Sequence, residues 1–119
     1  MFVNISNHPL EKWGAEQLAE ANRLGGGMVH SIQFPNVPPT ATSEDVTELA
    51  KGVVATLANE NPGTAMVQGE ASLCFELSRM LLVLGWTVVV ATTERKVVEG
   101  EGGVKTATFQ FVQFRQLRS

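Results

Sequence analysis

Three short polar clusters hold the residues of this sequence that can do chemistry. They are Ser6-Asn7-His8, Gln68-Gly69-Glu70 followed by Ser72, and Thr92-Thr93-Glu94-Arg95. Their residue types suit a small anion. The His8 imidazole can give or take a proton near neutral pH. The Arg95 guanidinium can grip a phosphate through two parallel N–H bonds. Gly69 lets a ligand approach the backbone, and free N–H groups at a helix start around Ser72 attract negative charge. Each feature also has a plainer reading. His8 can be a histidine bonded in a proline turn, Arg95 a surface partner of Glu94 or Glu99, and Gly69 a glycine that a strand-to-helix turn needs.

Other chemistries find fewer residues. The two histidines, His8 and His30, lie 22 positions apart, and no His-x-x-x-His or Asp-x-Asp cluster offers a metal site. The one aspartate, Asp45, falls in a helical stretch, and no serine sits in a nucleophile elbow, so a Ser-His-Asp hydrolase fits poorly. Neither a G-x-G-x-x-G nor a Walker motif is present. The single cysteine, Cys74, excludes an internal disulfide and reads as an inert thiol on a hydrophobic helix. Trp13 and Trp86 read as core residues, and His30 as structural.

The elements that must position these clusters follow from periodicity. Phe2 to Ser6 reads as a strand that stops at Asn7-His8-Pro9. Leu10, Trp13 (or Gly14), Leu18, Ala21 and Leu24 recur at helical spacing up to Gly25-Gly26-Gly27. Met28 to Phe34 reads as a second strand, closed by Pro35, Pro38 and Pro39. Thr42 with Asp45 resembles a capping box ahead of the stripe Val46, Leu49, Ala50, Val53, Val54, Leu57. Thr64 to Gln68 is a third strand and Ser72 to Leu84 a third helix, apolar over much of its circumference and capped by Gly85. Trp86 to Thr92 is a β-branched strand, expected to be covered on both faces and to end at the Thr92–Arg95 cluster. The rest, from Lys96, reads as a hairpin turning near Gly100 to Gly103. The alternation predicts an α/β fold, a mostly parallel sheet flanked by helices with a C-terminal antiparallel β-hairpin, in a single domain over residues 1–119. Ligands of such sheets bind beyond the carboxyl ends of the strands, where strand order reverses. Three of the four strand ends carry the polar clusters.

Composition narrows the partner. The chain has 119 residues, 44% apolar and 18% charged, with a net charge of −3. Mild acidity argues against coating long nucleic acid. Residues 1–94 hold four basic and ten acidic side chains, whereas residues 95–119 hold five basic (Arg95, Lys96, Lys105, Arg115, Arg118) and two acidic. Cations thus collect at one end of an acidic chain, which suits a compact anion. No apolar run exceeds five residues, far below the roughly 20 that span a bilayer. Without a basic segment leading into a long apolar stretch at the N-terminus, the expectation is a cytoplasmic protein with no membrane partner.

The ordered set Asn7-His8, Val67-Gln68-Gly69-Glu70, Ala91-Thr92-Thr93-Glu94-Arg95 and Phe111-x-x-Phe114-Arg115 resembles a group of small stand-alone CRISPR-associated proteins. These are single-domain relatives of the CRISPR-associated Rossmann fold (CARF), and members act as ring nucleases. The resemblance spans nearly the whole chain, and Thr-Thr-Glu-Arg is its strongest element. The chain departs from the group in lacking an aromatic near Leu117 and in having no tyrosine. The resemblance implies a Rossmann-like homodimer that binds a cyclic oligoadenylate, the four-membered ring in particular, and opens it to switch off type III CRISPR signalling. It implies no cofactor and no metal. The ribose 2′-OH attacks the adjacent phosphate and leaves a 2′,3′-cyclic phosphate. Arg95 is then expected to hold phosphate, with His8 or Glu70 handling the proton. Ser6, Asn7, Gln68, Gly69, Ser72, Thr92, Thr93 and Arg115 are expected to bind the ligand. Two alternatives stand beside this enzyme: a non-catalytic sponge for the same ligand, and a Rossmann-like dimer that binds no nucleotide and pairs through its third helix.

Overall fold

The computed structural model describes residues 1–119. In chain order the elements are β1 (Phe2–Ser6), a 3-10 turn (Leu10–Lys12), α1 (Ala15–Leu24), β2 (Val29–Gln33), α2 (Ser43–Ala55), β3 (Thr64–Gln68), α3 (Ala71–Val83), β4 (Thr87–Glu99), a second 3-10 turn (Glu101–Gly103) and β5 (Lys105–Gln116). The strands form one sheet in the order β2-β1-β3-β4-β5. The first four are parallel, and β5 closes the edge antiparallel to β4. The fold is therefore Rossmann-like α/β with the C-terminal hairpin that the sequence predicts.

The helices cover both faces. α2 and α3 lie together on one, where Val46, Ala50 and Val53 of α2 and Leu73, Leu77 and Leu81 of α3 pack on Val3, Ile5, Ala65, Val67 and Val88. α1 lies on the other, where Ala21 and Trp13 meet Phe2, Met66 and Val89, and Phe114 packs alongside. Strands covered on both sides lose the polar alternation of a half-exposed sheet, which is why β1 and the middle of β3 are buried at successive residues. The capping box forms as read: Thr42 Oγ1 accepts from the Asp45 N–H at 3.1 Å and Asp45 Oδ2 accepts from the Thr42 N–H at 3.0 Å. No helix is long and apolar enough to cross a membrane.

The structure corrects two boundaries. The first helix does not run through from Leu10. Trp13 is extended (ψ 142°) and Gly14 caps α1 in an extended conformation (ψ 164°). The break turns the Trp13 indole inward, where its Nε1–H donates to the His8 carbonyl at 2.9 Å. The fourth strand does not end at Thr92. No Gly or Pro interrupts residues 86–99, and β5 supplies a partner from Val89 onward, so β4 runs on to Glu99. The Thr92–Arg95 cluster is consequently part of a two-stranded arm that leaves the sheet at the carboxyl end of the parallel strands. Two further details differ from expectation. His30 is exposed on edge strand β2, and α3 buries one stripe while leaving Phe75, Val83 and Leu84 on the surface.

Candidate functional site

β1 and β3 are neighbours in register, with Ser6 opposite Gln68. The chain leaves β1 through α1 on one face and leaves β3 through α3 on the other. Their carboxyl ends therefore flank the point where strand order reverses, the place where open α/β sheets bind ligands. Two of the three polar clusters meet there: the Asn7 N–H donates to the Gln68 carbonyl at 3.3 Å.

The loop after β1 is held from below. Asn4, only 1% exposed, was not among the residues the sequence singled out, yet it anchors the rim. Its Nδ2 donates to the His8 carbonyl at 3.0 Å and to Ser31 Oγ at 3.3 Å. Ser6 Oγ lies 2.6 Å from Asn4 Oδ1 and 3.2 Å from the His8 carbonyl, so its one proton serves the shorter contact. Ser6 Oγ in turn accepts from the His8 N–H at 3.1 Å. Together with the Trp13 indole, this network fixes the His8 backbone while its side chain stays exposed, 6.4 Å from the Trp13 ring between centroids. Ser6 is thus a buried positioning residue, and Asn7 and His8 are the side chains it presents. A buried asparagine in an apolar strand was the available signal, because such an amide must find partners.

Gln68 ties β3 to the base of the arm. Its Oε1 accepts from the Ala91 N–H at 2.7 Å, which leaves the amide Nε2 as a donor at the rim. Gly69 has a structural reason to be glycine. A Cβ there would stand 2.5 Å from Cζ of Phe34, whose ring covers the turn. Glu70 is the N-cap of α3. Its carboxylate accepts from the Ser72 N–H (3.1 Å), the Leu73 N–H (2.9 Å) and the Ser72 hydroxyl (2.6 Å). The N–H groups read from sequence as an anion cradle are thus occupied by the protein's own carboxylate. The Ser72 hydroxyl first, then the two N–H groups, hold the Glu70 carboxyl below its ordinary value of 4.5. Nearby Cys74, half-buried on α3, is pushed up to about 11 by burial and by the charge of Glu70, so it stays a thiol at neutral pH.

The Glu70 cap makes a pH prediction. Its folded-state value is depressed, so its contribution to stability is present above about 4.5 and is lost as pH falls through the lower folded value. Urea midpoints of wild type and Glu70→Gln should differ at pH 7 and converge as the pH falls through the lowered folded-state value. A difference that stays constant across that range contradicts the assignment.

The third cluster rises away from the rim. Ala91 is level with Gln68, and Arg95 lies four residues further along β4, about 13 Å at the rise of an extended strand. Arg95 is paired across the arm with Phe109, and its guanidinium takes no part in the three ion pairs of the molecule, which are Arg23–Glu20, Lys51–Glu48 and Arg79–Glu76. Thr92 Oγ1 donates to the Gln113 carbonyl at 3.2 Å, and Thr93 is exposed one step above it. Arg115 sits opposite Val90, just below the level of Gln68, and is exposed. It is the cation nearest the rim by register. His8, Asn7 and Gln68 thus stand at one level with Arg115, which by alternation from Phe114 lies on the α3 side of the sheet; Glu70 is turned into its helix, and Arg95 is displaced along the arm.

No curated protein and no solved structure matches the chain. A family model does, over residues 1–115, from the first strand to the arm's return: the chain belongs to the uncharacterized protein MJ1673 family.

Proposed function

We propose that this protein binds a cyclic oligoadenylate at the carboxyl rim of β1 and β3, beside the base of the arm, and thereby withdraws a type III CRISPR second messenger. The observation that carries the site is the meeting of Asn7-His8 with Gln68 at the reversal point of the sheet. The ordered motif set carries the ligand class. A ring of phosphates is a compact polyanion, and the Gln68 amide, the Asn7 side chain and Arg115 are donors suited to phosphate, ribose and base edges. A two-fold pair of chains would offer these groups twice to a ligand that itself has two-fold symmetry.

The enzyme reading gives His8 the proton. The ribose 2′-oxygen bonds to the adjacent phosphorus as its proton passes to the imidazole, and the bond from phosphorus to the 5′-oxygen breaks. The 5′-oxygen takes a proton, leaving a 2′,3′-cyclic phosphate and a 5′-hydroxyl. Alignment of the 2′-oxygen is the main protein contribution. A sponge is the second reading, and the geometry of Glu70 favours it: held by three donors of its own helix start, that carboxylate is a poor proton acceptor, and the enzyme reading rests on His8.

The two readings separate on turnover. With radiolabelled cyclic tetraadenylate in excess over protein and a chelator present, the nuclease yields cyclic-phosphate products beyond one ring per site, and His8→Ala stops them. The sponge retains intact ring. A protein that neither binds nor cleaves the ring overturns the proposal.

A further inference from the structure

The arm exposes more surface than a chain of this size normally does. The radius of gyration is 16.1 Å, against about 13.5 Å for a compact chain of equal length. The accessible surface is 7537 Å², against about 6,300 Å² expected from the mass, an excess of about 1,200 Å². The arm's distal strands have no third strand or helix beside them, and an isolated two-stranded hairpin is at best marginal in water.

Register shows which face lacks a partner. Between Thr92 and Thr93 the pairing with β5 jumps from Gln113 to Phe111, so Val112 is an extra residue, a β-bulge. The bulge restores Phe111 to the face of Phe114, with ring centroids 4.9 Å apart, although an odd spacing of three would otherwise send them to opposite faces. Beyond it, Arg95, Val97 and Glu99 of β4 share that face with Phe109, Ala107 and Lys105 of β5. Phe109 is 70% exposed and Val97 54%. The reverse face carries Glu94, Lys96, Thr106, Thr108 and Gln110, with Val98 its one apolar residue. The arm is an amphipathic ribbon with its apolar side in solvent.

We propose that this face packs on the same face of a second copy of the chain, with a two-fold axis crossing at Val97 and Ala107. Self-complementarity singles out that occupant. Reversing the ribbon about Val97 sets Arg95 against Glu99 of the second copy, and reversing it about Ala107 sets Phe109 against Lys105, a cation over an aromatic ring. Each charge on the face thus meets an opposite charge or a ring. Face-to-face β packing also explains why Arg95 stands away from the rim: it joins the two chains. The inference does not depend on the ligand proposed above.

Light scattering coupled to size exclusion, across a dilution series without ligand, tests it. The wild-type chain is expected at twice its 12.8 kDa mass. Val97→Glu with Phe109→Glu should yield monomer and raise the dissociation constant at least about 100-fold. Arg95→Glu and Glu99→Arg should each weaken the dimer, and the two together should restore it. All four positions are exposed, and the far-UV circular dichroism of each variant checks that the sheet remains. A wild-type monomer at every concentration overturns the proposal. So does a dimer that ignores these changes but dissociates with Phe75→Glu and Val83→Glu on the outer face of α3. Failure of the charge exchange to restore an arm-dependent dimer overturns the two-fold register.

Discussion

Asn4→Leu is expected to destabilise the protein by about 2–4 kcal/mol, although leucine has the same branched shape and the same number of side-chain heavy atoms. Three hydrogen bonds end on the Asn4 amide, and the residue is 1% exposed. An apolar replacement leaves Ser6 Oγ without its short acceptor and takes one donor from the His8 carbonyl, and a buried polar group left unpaired costs about 1–3 kcal/mol. The urea midpoint should fall with the slope unchanged, as for a change confined to the folded state. The same substitution should loosen the rim. The Asn7 and His8 amides, now bonded to Gln68 and Ser6, should exchange with solvent faster than in wild type, and ligand affinity should drop with them. A variant as stable as wild type with unchanged exchange contradicts the anchoring role.

Leu77→Ala is expected to destabilise by about 3 kcal/mol, within the range of 2–5 kcal/mol for a buried leucine. Leu77 is fully buried between Leu73 and Leu81 on the stripe of α3 that faces the sheet. Against a typical total of about 5–15 kcal/mol, that loss decides how much of the chain remains folded at 37 °C. Phe75→Ala, two residues away on the outer face and 69% exposed, should change stability by less than about 0.5 kcal/mol. Chemical denaturation of both variants measures the contrast. Equal losses mean that the helix is turned differently from the packing described here.

The residues that made the fold legible are those whose spacing admits one solution. The stripe of α2 with its capping box, the short β3 between a turn and a glycine, and the alternation of Phe109 and Phe111 in β5 each give a single period. Trp13 misled because it falls on a helical spacing with Leu10. The competing cue was Gly14, a poor interior residue that serves as the cap of α1. The Thr92–Arg95 cluster read as a strand end because polar residues usually close a parallel strand. Here a distant segment, β5, supplied the hydrogen bonds that let β4 continue, and pairing of that kind is not written in the local sequence. Glu70 was legible as a residue at a helix start. Its turn onto its own N–H groups is a side-chain choice that only the folded geometry displays. Asn4 escaped notice for a similar reason, since its place among polar partners depends on the His8 carbonyl folding back over it and on Ser31 arriving from β2.

The rim and the arm have separable tests: loss of ring binding leaves the arm dimer standing, whereas a monomeric chain would remove the two-chain stoichiometry expected for the ring. Arm variants report mass without any nucleotide, whereas rim variants report ligand affinity at constant mass. The most direct test of the central claim is calorimetric titration of the purified protein with cyclic tetraadenylate. Linear tetraadenylate serves as the control, alongside the His8→Ala and Arg115→Ala variants. Saturable binding of the ring at one per two chains is expected, with weaker binding by both variants and by the linear control. Absence of heat and of any thermal shift with the ring, or equal binding of linear and cyclic forms unaffected by either variant, would contradict it.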